Sequence, residues 1–255
     1  MYDHLTYTVE AGIATLTLDR PQVYNAFTPA MIDELNEAVD RTTEDGVYAL
    51  VLTGAGDGFC TGADVTEMPD WSEQSEAEYG DFLREVQGVV RGLREGGVPS
   101  VAAVNGPAVG AGCDFALACD VRFLAPDAYL REGFVRVGLV PGDGGAWLLP
   151  RLIGEAKARE YLLTGEDITA DAAERLGLAR AIEDDPLEAA VEFATQLRDL
   201  PATAVRRTNE LVSADLSFDE HCERAIDYQW ECVNDPEHDE AVRAMREGRE
   251  PSFDR

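Results

Sequence analysis

The sequence predicts an α/β fold, a mostly parallel sheet crossed by helices and followed by a helical C-terminal region. Three observations point there. Short apolar runs at 47–53, 101–104 and 121–124 arrive at intervals between stretches of helical period. Two of those runs pass directly into glycine-rich turns, 54–64 and 106–112. From Gly144 onward the pattern is helical, except at 179–182.

Taken in order, residues 5–9 and 13–18 alternate apolar and polar side chains around Ala11-Gly12, which predicts a β-hairpin. Thr28 then caps a helix whose first position is Pro29. Met31, Ile32, Leu35, Ala38 and Val39 form its buried stripe. Residues 47–53 give the next strand, and 72–93 a helix with Tyr79, Phe82, Leu83, Val86, Val89, Val90 and Leu93 on one face. The run 101–104 is a buried strand, 113–119 a helix entering the core, and 121–124 a strand. Pro186, Pro201 and Pro236 each stand where a helix can start.

The charge narrows the partners. Fifty Asp and Glu face 21 Lys and Arg, a net charge of −29, and Lys157 is the single lysine. Such a surface repels itself in dilute buffer, and molar salt shortens the Debye length to about 3 Å and removes that cost. An acid-rich, lysine-poor chain of this kind is expected of a salt-accumulating halophile. Nucleic-acid partners, which need basic patches, are not expected. No apolar run approaches the ~18 residues of a membrane span. The first residues lack the basic and apolar regions of an export leader, so a cytoplasmic protein is expected. The five cysteines, Cys60, Cys113, Cys119, Cys222 and Cys232, match no zinc spacing, so free, mostly buried thiols and no metal are expected.

A strand that ends in a glycine turn and re-enters a helix aims unpaired backbone N–H groups at a ligand. Two such strand ends can give two donors to one oxygen, an oxyanion hole. The loop 54–58 lacks the spacing of a dinucleotide fingerprint, no Gly-Lys-Ser/Thr phosphate loop occurs, and Gly-x-Ser-x-Gly is absent.

Four ordered motifs carry a resemblance: residues 18–26 (LDRPQVYNA), 52–64 (LTGAGDGFCTGAD), 105–110 (NGPAVG) and 137–145 (VGLVPGDGG). Over nearly the whole chain the sequence resembles the crotonase superfamily, the enoyl-CoA hydratase/isomerase family. The resemblance implies a spiral of ββα units over 1–195 and a helical oligomerisation region over 196–255. It implies an enzyme acting on acyl-CoA thioesters, with coenzyme A as part of the substrate and no further cofactor. A homotrimer or a hexamer is implied as well. The N–H groups of Ala63 and Ala111 take the positions of the family's oxyanion donors. Gln22, Tyr24, Ala63, Asp64 and Thr66 fall where the family contacts coenzyme A, although lysines common in the family are replaced by Gln22 and Thr66.

The acids depart from the hydratase pattern, in which two glutamates share the proton work. Asp114 takes the first position and Phe134, which carries no proton, takes the second. Asp143 lies one residue beyond an aspartate position of related isomerases. Asp114 is therefore the leading acid/base and Asp143 the second, with helix capping as the competing role for Asp143. Glu132 reads as a loop surface charge or a partner of Arg131 or Arg136, and Trp147 as core, with an acyl-pocket wall as its second reading. Hydration or double-bond isomerisation is the expected reaction. The alternatives are a hydrolase or decarboxylase of the same superfamily, or a silent acyl-CoA-binding protein.

Overall fold

The computed structural model describes residues 2–66 and 71–253. It opens with the expected hairpin, β1 (Leu5–Glu10) paired antiparallel with β2 (Ile13–Leu18). A 3-10 turn at Pro21–Val23 follows, then α1 (Pro29–Glu44), whose N-cap Thr28 accepts from the Met31 N–H. Next come β3 (Ala49–Gly54) and α2 (Glu76–Glu95). The helix α2 starts later than the expected 72 because Ser75 and Glu78 form a reciprocal capping box, with a separate 3-10 turn at Trp71–Glu73. After it come β4 (Ser100–Val104), β5 (Ala108–Val109), α3 (Ala111–Ala118), β6 (Val121–Leu124) and β7 (Tyr129–Arg131).

A 3-10 helix (Gly133–Val137) leads to α4 (Gly145–Ile153), α5 (Glu155–Thr164), β8 (Ile168–Thr169), α6 (Ala170–Arg175) and β9 (Ala181–Ile182). The chain ends in α7 (Pro186–Arg198), α8 (Ala202–Ser213), α9 (Phe218–Val233) and α10 (Pro236–Glu247).

Six strands form one sheet in the order β1-β2-β3-β4-β6-β9, parallel from β2 onward. Its central strands β3 and β4 are buried at every residue, which is why they read as unbroken apolar runs. Leu50, Leu52, Ala102 and Val104 face the main core under α1, α2 and α3. Val51, Val101, Ala103 and Phe123 face α7 through Ala190 and Ala194.

A second sheet, β5-β7-β8, escaped the sequence because its strands have two or three residues, too few to show a period. It nonetheless positions the site. Parallel pairing of Val109 with Arg131 brings the start of α3 beside the residue that follows β7.

Trp147 is not core: it is 39% exposed. Gly145, Leu148 and Leu149 turn inward from α4, and the intervening Trp147 lies between the guanidinium groups of Arg151 and Arg94, 3.7 and 4.7 Å from its ring centre. All five cysteines are free thiols. Among the described residues no side-chain cluster suits a metal, and no helix is long and apolar enough to cross a membrane.

Candidate active site

Two loops meet at the C-terminal ends of β3 and β4. One side chain ties them together. Asn105 donates to the carbonyls of Gly54 and Gly56 at 2.9 and 2.8 Å and accepts from the Gly54 N–H at 3.2 Å. The loops then run in backbone contact: a Cβ on Gly112 would lie 2.1 Å from the Cys60 carbonyl oxygen, so no side chain fits there.

The two predicted donors emerge from this contact. In the first loop Phe27 donates to the Gly62 carbonyl, and the Asp64 N–H donates to Phe27, at 2.8 and 2.9 Å. That bridge skips the N–H of Ala63 between them. In the second, Ala111 is the first residue of α3, and its N–H has no acceptor within the helix. Both alanines line one cavity of about 350 Å³. Two N–H groups on one wall can stabilise negative charge on an oxygen placed between them.

Most of the rest of the cavity is apolar. The helix α2 contributes Phe82, Leu83 and Val86, and the 3-10 helix after β7 contributes Phe134 and Val137. The Phe134 ring stands 3.6 Å from where a Cβ on Gly110 would be. Asp143 is the one acid among the described lining residues. It does not cap α4, whose N-cap is Gly144 with no side-chain bond. Gln87 of α2 instead donates to the Gly142 carbonyl at 2.8 Å and fixes the loop that carries Asp143. Burial raises the Asp143 pKa to about 6. Tyr79, which the sequence places on a packing face, lines the same cavity, and its hydroxyl pKa is raised by burial and by the nearby Asp143.

Asp114 lies one turn beyond Ala111, fully buried, and does not line the cavity. It faces Glu132. The expectation that Glu132 is a surface charge is corrected here: Glu132 is 0% exposed. The reason is strand alternation. Leu130 in β7 and Glu132 just after it turn to the inner face, while Arg131 turns outward to pair with Asp167. The carboxyls of Asp114 and Glu132 lie within reach of one another. No oxygen of either has a conventional donor in the surrounding protein. Burial first, then the charges of Glu132 and Asp143, pushes the Asp114 pKa far up. Burial pushes Glu132 to about 7. A buried carboxyl without donors keeps its proton.

The residues predicted to contact coenzyme A divide. Gln22 and Tyr24 are exposed beside the first loop. Asp64 is occupied: it pairs with the buried Arg20 at 3.0 Å and accepts from the Thr66 hydroxyl and N–H at 2.7 and 3.1 Å. The Thr66 hydroxyl, with Arg20 adding to it, holds that carboxyl below its ordinary range. Asp64 and Thr66 thus stiffen the loop that carries Ala63.

Comparison with known proteins fits this geometry. The family model for enoyl-CoA hydratase/isomerase matches residues 8–255. A probable enoyl-CoA hydratase of Mycobacterium tuberculosis is 39% identical over 211 residues, 80% of this chain and 78% of its own. The 1,2-epoxyphenylacetyl-CoA isomerase of Escherichia coli is 31% identical over 266 residues, 99% of each chain. Among solved structures, an enoyl-CoA hydratase from Bacillus anthracis superposes with a TM-score of 0.92 at 26% identity, covering 98% of this chain and 99% of that one. An enoyl-CoA hydratase from Mycobacterium smegmatis gives 0.90 at 31% identity, covering 98% of each. The fold is thus that of the crotonase superfamily, and the chain belongs to the enoyl-CoA hydratase/isomerase family, whose members transform acyl-CoA thioesters.

Proposed function

We propose that the cavity holds the acyl group of an enoyl-CoA thioester and moves its double bond. The carbonyl oxygen would sit between the N–H groups of Ala63 and Ala111, with Asp143 as the acid/base. The carrying observation is that one carboxyl, Asp143, opens into the cavity both alanines line. The Asp143 carboxylate takes a proton from C2 of a 3-enoyl thioester, and the electron pair moves onto the carbonyl oxygen as a dienolate. The two N–H groups stabilise that charge. Asp143 then returns the proton to C4, giving the conjugated 2-enoyl thioester. A pKa of about 6 suits a group that must take and return a proton near neutrality.

Hydration is the second reading, favoured by relatives named as hydratases. It needs a second proton-transferring group at the bound water, for which Asp114 is the candidate. Incubating the protein in molar KCl with 3-hexenoyl-CoA, and separately with 2-hexenoyl-CoA, separates the readings. Conversion of the first to the second supports isomerisation. Formation of 3-hydroxyhexanoyl-CoA from the second supports hydration. Release of free coenzyme A points to a hydrolase. Binding without any product identifies a silent binding protein and overturns the proposal.

We also infer that the chains form trimers or pairs of trimers through the C-terminal helices. Phe218, Ile226 and Trp230 of α9 are large apolar side chains left exposed. Light scattering that finds a monomer in molar salt would refute this. The −29 charge supports a salt-rich cytoplasm as the working environment. A melting temperature that does not rise between dilute and molar KCl would contradict it.

A further inference from the structure

The cavity has a property that the proposed reaction does not require: its walls are rich in aromatic rings. Moving a double bond needs the two N–H groups and Asp143, and it sets no condition on the rest of the acyl group. Trp71, Tyr79, Phe82 and Phe134 nonetheless all line the space. They come from separate parts of the chain. Tyr79 and Phe82 stand three residues apart on α2, so their side chains are neighbours on the helix surface. Trp71, in the 3-10 turn before α2, meets Tyr79 edge-on, with ring centres 5.8 Å apart and planes at 65°. Phe134 enters from the 3-10 helix after β7, and its ring packs against Gly110, the residue before the Ala111 donor.

Size and charge narrow the ligand. The volume of about 350 Å³ lies at the low end of the ~300–1,000 Å³ of small-molecule sites, and the thioester takes part of it. A compact, rigid group fills such a space at a smaller cost in frozen rotors than a flexible chain of equal carbon count. No arginine or lysine is among the described lining residues, and the one carboxyl there is Asp143. An acyl tail carrying its own carboxylate would therefore find no cation and would meet a like charge. Rings prefer edge-to-face or offset contacts with other rings, each worth about two- to twelvefold in affinity beyond the area buried.

We propose that the cavity selects a neutral acyl group carrying an aromatic ring, and that Trp71, Tyr79 and Phe134 determine this specificity. This rests on the reading of the cavity as the acyl site. Burial of apolar area alone predicts the reverse order, because the carbons of an open chain expose more apolar surface than the same number closed into a ring. A preference for the ring is thus a signature of the aromatic walls that apolarity alone does not imitate.

The test compares two thioesters of equal acyl carbon count with the double bond in the same place, 5-phenyl-3-pentenoyl-CoA and 3-undecenoyl-CoA, on the full chain in molar KCl. In the parent, kcat/KM is expected to favour the phenyl compound by about tenfold or more. Trp71→Leu and Phe134→Leu should each lower that ratio by about threefold or more, and Trp71→Phe should keep most of it. The ratio is the readout because a pocket that has merely loosened loses both substrates together. Tyr79→Leu replaces either leucine variant if it does not fold. A parent ratio of one or below, or the parent ratio retained in both leucine variants, would overturn the proposal. If neither thioester is isomerised, the functional reading has failed, and the Kd values of the saturated 5-phenylpentanoyl-CoA and undecanoyl-CoA decide instead. Binding of the phenyl compound tighter by about tenfold sustains the specificity, and equal or weaker binding overturns it as well.

Discussion

Two groups of carboxyls in this chain behave oppositely. Asp114, Glu132 and Asp143 are buried and form no salt bridge with an arginine among the described residues, and burial raises the pKa of all three. Glu240 on α10 is half-buried beside Arg249 and Arg243, and Arg249 first, then the Ser252 N–H, lower its pKa to about 2. The residue types are the same. What differs is whether a cation or a hydrogen-bond donor was supplied. In a chain with 50 acids and 21 bases, leaving three acids together in the interior without a base is a costly arrangement, and it occurs where the chemistry is proposed.

The largest effect is expected from removing the acid that faces the cavity. Asp143→Asn should lower turnover of 3-hexenoyl-CoA by about 10²–10⁴-fold while leaving the Kd for hexanoyl-CoA near that of the parent. Full turnover in Asp143→Asn would move the chemistry to Asp114 and erase the distinction between facing the cavity and standing behind it.

Gly145→Ala comes next. The new methyl would collide with the Glu132 carboxyl at 2.4 Å and must push it aside. Overpacking of this kind costs about 1–3 kcal/mol, readable as a lower urea midpoint at unchanged slope. A midpoint equal to the parent's would show that the carboxyl is free to move.

The smallest effect is in the pH dependence of stability, and its sign separates the two groups. The interior carboxyls bind protons more tightly when folded than their ordinary values of 3.8 and 4.5 allow. Their contribution is greatest at low pH and is lost as pH rises through about 6 and 7. Glu240 contributes above its ordinary 4.5, and that contribution is lost as pH falls through about 2. Between pH 5.5 and 8, then, the interior group of carboxyls titrates and Glu240 does not. Melting temperatures in molar KCl should fall across that window, less steeply in Glu132→Gln. Glu240→Gln should keep the parent's slope there, because Glu240 is ionised throughout the window. Equal slopes in the parent and Glu132→Gln would mean that Glu132 is not the group titrating.

The same contrast explains what could be read in advance. The hairpin, the Thr28 cap and the helical tail follow local patterns and were legible. So were the glycine loops, and the motif positions led to Ala63 and Ala111. Asp143 was singled out because it stands beside a family acid position, and it lines the cavity. Glu132 was missed because β7 has three residues, and Leu130, Arg131 and Glu132 offer a single step of alternation. The surface that buries it, Gly145, is brought close only by the second sheet and α4. Asp114 was placed on the right helix, but its absence from the cavity lining is a matter of side-chain packing that a motif position does not carry. Trp147 was misread because an apolar residue between inward positions of a short helix can be stabilised at the surface by two arginines.

The close passage of Gly112 past Cys60 bears on how such an enzyme changes over generations. The donor loops meet main chain to main chain, so a substitution at Gly112 meets a carbonyl oxygen at 2.1 Å and has nowhere to go. Val65, Val137 and Val140 border the same cavity but are 81, 74 and 78% exposed. Drift is therefore channelled. Descendants of this chain can acquire new acyl preferences by exchanging side chains at the rim, while the machinery that holds a carbonyl oxygen is inherited almost unaltered, beyond the reach of single-step variation.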